Sequence, residues 1–151
     1  MLEKILSAND CAACKLCCGF FESEIWEVPV IDDEVAGLIE ADYDYSCGER
    51  VFKASYDEKG LCLCPALEKT GCKLDGNKPF DCKIWPFRAM KLGEFTVVTV
   101  SPLCKKVSEK PLSMLSKFVI EELAEKIKAR VEKYPAQVKD YVDNYPILAV
   151  L

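Results

Sequence analysis

A chain of 151 residues with 20 Lys and Arg against 25 Asp and Glu carries a net charge of −5, which offers nucleic acid no phosphate-neutralising surface. Half of the residues are hydrophobic and 30% are charged, a globular balance that excludes wholesale disorder. No apolar run approaches the ~18 residues of a membrane-spanning helix.

Residues 1–10 are a short lead with the makings of a helical turn and no apolar h-region, so no secretory signal is expected and a cytoplasmic location is. Residues 11–19, CAACKLCCG, are a compact loop ending at Gly19. Ile25, Trp26, Val28 and Val30 give a broken alternation that predicts a strand over 24–31. Asp32 and Asp33 can then cap a short helix to about Glu40, with Val35, Leu38 and Ile39 turned inward. Residues 41–49 read as an acidic turn, 50–56 as a strand, and 57–60 as a second turn. Between 61 and 87 the glycines and prolines predict irregular loops. Runs 88–92 and 94–100 around Gly93 predict a hairpin. From Leu112 the spacing of Leu115, Phe118, Val119, Leu123, Ile127, Val131 and Tyr134 predicts an amphipathic helix of about twenty residues, ended by Pro135. A further short helix over 137–145 and an apolar tail complete the expected fold. It is a small single α+β domain, with cysteine-rich loops over 11–104, a short antiparallel sheet and a helical end over 112–145.

Two features of composition direct the chemistry: ten cysteines and no histidine. Without histidine there is no Ser-His or Cys-His pair, no mixed Cys/His zinc finger and no His-ligated iron. Any metal must rest on thiolates, alone or helped by a carboxylate. Clustered cysteines in a reducing compartment are metal ligands or redox groups more often than disulfides, and all ten fall between positions 11 and 104. Cys11, Cys14 and Cys17 repeat at the three-residue step by which a loop presents thiolates to an iron–sulfur cube, although turns with paired cysteines also wrap zinc. Adjacent side chains tend to diverge, so Cys17 and Cys18 are expected to serve different centres, or one a cluster and the other redox chemistry. The C-x3-C-x2-C spacing of radical chemistry fails at Phe21, and no strand precedes Cys11 as a thioredoxin-like motif needs. Lys15, Lys73, Lys83 and Lys105 each follow a cysteine, where a cation lowers thiol pKa and offsets thiolate charge. Phe20, Phe21, Trp26, Phe80, Trp85 and Phe87 flank the clusters and are candidates to exclude water.

The runs CAACKLCCG (11–19), CPALEKTGCKL (64–74) and KPFDCKIWPF (78–87) together resemble the CxxCxxCC cysteine-cluster family, described as a zinc- or iron-chelating domain. The cysteine-cluster part of flagellin lysine N-methylases is similar. The resemblance spans about 11–104 and puts Cys11, Cys14, Cys17, Cys18, Cys64, Cys72, Cys82 and Cys104 on the family's eight metal positions. Lys78 and Lys83 stand where the family pattern has arginine, and Cys47 and Cys62 lie outside the pattern. Cys62, two residues from Cys64, could reach the same centre from an extended stretch. The acidic surroundings of Cys47 disfavour a ligating thiolate. The expected function is binding of an iron–sulfur cluster, [4Fe–4S] by the spacing, in redox, electron-transfer or enzyme-supporting work with a protein partner. The alternatives are a zinc-stabilised interaction module without catalysis, and a lysine methylase, for which no glycine-rich cofactor loop follows a strand.

Overall fold

The computed structural model describes residues 2–7, 9–10 and 14–151. The protein is α+β, as its periodicities predict. It forms two compact units, Ser7–Lys83, and Met1–Leu6 with Ile84–Leu151. Among the described residues no helix is long and apolar enough to cross a membrane.

The Ser7–Lys83 unit holds three antiparallel ribbons around one apolar cluster. Strand β1 (Gly19–Phe21), β2 (Tyr43–Ser46), β3 (Glu49–Phe52), β4 (Leu61–Leu63), β5 (Leu67–Glu68) and β6 (Gly71–Cys72) pair as β1–β4, β2–β3 and β5–β6. Phe20, Val28, Ile31, Val35, Ile39, Phe52, Ala66 and Leu74 form the core, with Cys64 and Cys72 packed against it. Helix α1 (Asp33–Ala36) starts where the aspartates predict it, with Val35 and Ile39 buried, but it is shorter than expected and Leu38 is exposed.

Two expectations fail here for physical reasons. The strand over 24–31 is instead a 3₁₀ helix, Glu22–Glu27, followed by a single bridge from Val30 to Val51. Pro29 cannot donate to a ladder, and Val28, Pro29, Val30 and Ile31 are buried consecutively rather than alternately. The acidic turn at 41–49 is instead the β2–β3 hairpin. Its two-residue turn has Cys47 at φ 51 and Gly48 at φ 81, the positive angles a type I′ turn needs at both central positions. Tyr43 anchors the ribbon: its ring stacks on Phe52 at 5.8 Å, and its hydroxyl donates to the Ala36 carbonyl at 3.1 Å. That packing outweighs the poor strand propensity of Asp44.

The buried Asp81 carboxylate accepts the Val30 N–H at 3.0 Å. Asp81→Ala is expected to leave that donor unpaired and cost about 1–3 kcal/mol, whereas Asp81→Asn keeps an acceptor and loses less. Chemical denaturation of the two variants checks this.

In the other unit, strands β7 (Phe87–Leu92), β8 (Phe95–Val100), β9 (Lys139–Asp140) and β10 (Ile147–Val150) form a sheet in the order β10-β8-β7-β9. The β7–β8 hairpin is the expected one, with Gly93 at φ 59 in its turn. The expected helix spans 112–133, but in three parts: Leu112–Phe118, a π turn over Val119–Leu123, and Ala124–Lys133. Buried Leu115, Val119, Leu123 and Ile127 recur at strict four-residue steps, overrunning an ideal helix by about 40° each step. The wider π turn takes up that drift and keeps the set facing the core. The rings of Phe118 and Phe87 meet at 5.9 Å. The predicted helix over 137–145 is absent. A 3₁₀ turn, Pro135–Gln137, leads into β9, which pairs parallel to β7, and Asn144 takes φ 72 before Pro146. The apolar tail becomes β10, antiparallel to β8.

Candidate metal centre

No disulfide joins any two of the nine described cysteines; Cys11 lies outside the described residues. Lys15, in the left-handed region at φ 55, turns the chain into a 3₁₀ helix, Leu16–Cys18. That turn places the Cys17 and Cys18 sulfurs 4.0 Å apart. The vicinal pair therefore does not diverge as expected, because the tight helical turn brings both thiols to one side.

Backbone pairing brings distant cysteines to this loop. The Cys64 N–H donates to the Cys18 carbonyl at 2.8 Å, continuing the β1–β4 ladder in which Phe20 faces Cys62. The Cys64 carbonyl accepts the Leu67 N–H at 2.9 Å, and the β5–β6 hairpin then sets Cys72 opposite Leu67. Cys17, Cys18, Cys64 and Cys72 thus come from segments tied to one another by main-chain bonds. Burial pushes the Cys64 thiol up to about 11, against a hydrogen bond from the Ala66 backbone, and the charges of Cys72, Cys17 and Cys62 push in the same direction as burial.

The remaining described cysteines are on other segments. Cys62 is buried, with its sulfur accepting the Ser55 N–H at 3.4 Å. Its side chain points with Phe20 into the ribbon's packed face, which gives it a structural job of its own. Cys14 is exposed. Cys82 is half-buried on the helix Phe80–Ile84. Cys104 is half-buried at the start of the helix Lys105–Ser108, in the Ile84–Leu151 unit. Cys47 is exposed at its hairpin tip. Among the described residues, no three of Cys, Asp and Glu converge closely enough to hold one ion. Sulfur donors suit a soft, thiophilic cation by their chemistry, but their described positions do not assemble a site for one.

Of the flanking aromatics, Phe20 is buried beside this cluster, Phe21 is half exposed, and Trp85 and Phe87 belong to the other unit. Lys73, Lys83 and Lys105 are exposed. Lys15 is half-buried and bonded across the site, a role that its place beside Cys14 does not reveal.

The raised Cys64 pKa makes a prediction for the metal-free chain. The unfolded thiol ionises near 9 and the folded one near 11. Between these values the unfolded state binds fewer protons, so stability is full below about pH 9 and falls as pH rises to 11. The loss is at most about 2–3 kcal/mol. Tyr43, held up by burial, shifts in the same direction. Denaturation midpoints at pH 8 and 11 should therefore differ, and Cys64→Ser should reduce that difference.

No known protein family, curated protein or solved structure matches the chain.

Proposed function

We propose that this protein binds a metal through thiolates, with Cys17, Cys18, Cys64 and Cys72 as the nucleus of the site. An iron–sulfur cluster is the preferred occupant, in redox or electron-transfer work for a protein partner in a reducing compartment such as the cytoplasm. The observation that carries this reading is the 4.0 Å between the Cys17 and Cys18 sulfurs, on a loop that a main-chain bond ties to Cys64. All-sulfur ligation and the Cys11-Cys14-Cys17 step favour iron–sulfur chemistry, and the resemblance to the cysteine-cluster family adds Cys11, Cys14, Cys82 and Cys104 as further ligands. A cluster would supply one-electron transfer when bound. The chain's own contribution is to hold the thiols in register through the 18–64 and 64–67 main-chain bonds, and to shield one side with Phe20.

A second reading, zinc, is favoured by one distance. Two thiolates on a tetrahedral zinc with Zn–S near 2.3 Å are about 3.8 Å apart, close to the 4.0 Å between Cys17 and Cys18. A cubane takes one thiolate per iron, which sets its ligands further apart. Anaerobically prepared protein tests the choice. Iron–sulfur occupancy gives a brown solution with broad charge-transfer absorption, bleached by dithionite. A colourless protein with stoichiometric zinc supports the interaction-module reading instead.

A further inference from the structure

We propose that Cys17 and Cys18 form a reversible redox site, in which the reduced pair is converted to a vicinal disulfide by exchange with a small-molecule disulfide of the glutathione class. The inference needs no metal and goes beyond the reading above: it concerns what these two sulfurs do when nothing is bound to them.

The Cys17 and Cys18 sulfurs are 4.0 Å apart, and both residues are only half-buried, within reach of a small reagent. The backbone of the pair is held from two sides. The Cys18 N–H donates to the Lys15 carbonyl at 3.1 Å, closing the 3₁₀ turn, and the Cys18 carbonyl accepts the Cys64 N–H at 2.8 Å. The turn therefore keeps the two sulfurs together without any cation to draw them in. A disulfide bond needs a separation of about 2.05 Å, so closure brings them about 2 Å nearer. Cys62, buried and accepting the Ser55 N–H, is committed to its own ribbon.

Adjacent Cα atoms lie about 3.8 Å apart, below the roughly 4.4 Å at which ordinary disulfides begin. A vicinal bridge is therefore strained, and strained disulfides are the readily reduced, labile ones. In the forward step one thiolate of the pair attacks a sulfur of the reagent RSSR and expels RS⁻. The neighbouring thiolate then attacks the mixed disulfide and expels the second RS⁻. The Cys17–Cys18 bond forms as the reagent's S–S bond breaks. Two electrons pass to the reagent, and the two thiol protons leave on two RSH. Excess RSH reverses both steps, so the pair alternates between two chemical states.

The test uses the full chain, reduced and kept metal-free by a chelator, then treated with excess oxidised glutathione, alkylated and mapped by tandem mass spectrometry. The peptide carrying Cys17 and Cys18 should be two hydrogens lighter, lose both alkylation sites at those residues, and regain them after dithiothreitol. Cys47, exposed at its hairpin tip with no cysteine beside it, should instead hold glutathione as a mixed disulfide. In Cys18→Ser the second step lacks its nucleophile, so Cys17 should hold glutathione too. The proposal is overturned if Cys17 and Cys18 of wild type stay open to alkylation, each keep a glutathione, or bridge to other cysteines. It is overturned equally if Cys17 sheds its glutathione in Cys18→Ser as completely as in wild type. None of these results bears on metal uptake, which is read separately on chain that has not been oxidised.

Discussion

Cys64→Ser is expected to abolish stoichiometric metal binding while leaving the metal-free fold unchanged. Serine is nearly isosteric, so the hairpin bonds from the Cys64 backbone to Cys18 and Leu67 persist, but one of the proposed ligand sulfurs is gone. A ligand that binds only the folded chain stabilises it by about 4 kcal/mol at a thousandfold excess over its Kd. Wild type should therefore gain that much on metal addition, and the variant little or none. Cys14→Ser and Cys82→Ser, at positions the family resemblance marks as ligands, should also lose metal. Cys47→Ser should retain it, because Cys47 sits at an exposed hairpin tip. Metal per chain and melting temperature, with and without metal, decide the series. Loss of metal from Cys47→Ser to the same degree as from Cys82→Ser would refute the eight-ligand assignment.

Phe87→Ala should produce the largest loss of stability by packing alone. Phe87 is 0% exposed and its ring meets Phe118, so truncation removes both the transfer energy of the ring and a partner for the long helix. Deleting a buried phenyl group typically costs about 3–5 kcal/mol, a large part of the stability of any domain of this size. Phe87→Leu, which fills more of the same volume, should lose less. Urea unfolding of the pair measures both, and equal losses would show that the ring contact carries no weight.

How much of this architecture was legible in the sequence depends on how local each cause is. The β7–β8 hairpin and the helix over 112–133 follow from local signals: β-branched runs around Gly93, and apolar residues returning at three- and four-residue steps. Even the π turn is foreshadowed by the strict four-residue spacing of Leu115, Val119, Leu123 and Ile127. The β2–β3 hairpin was not legible, because its stability comes from Tyr43 on Phe52 and from Arg50 over the Tyr43 ring, contacts that propensity does not weigh. The segment over 24–31 misled through its alternation, since Pro29 and the Asp81 carboxylate fix its path instead. Residues 137–145 carry helical residues but are captured by the open edge of β7. For the candidate site, spacing and cysteine density point to sulfur ligation. Which sulfurs meet is decided by pairings between residues 18 and 64 and between 67 and 72, which no local pattern encodes.

The central claim is that these thiols hold a metal, and quantifying iron, zinc and acid-labile sulfide per chain in anaerobically purified protein tests it most directly. The account predicts iron and sulfide in equal amounts, both absent from Cys64→Ser. Protein free of both metals, unable to take up either iron with sulfide or zinc on anaerobic reconstitution, would contradict it.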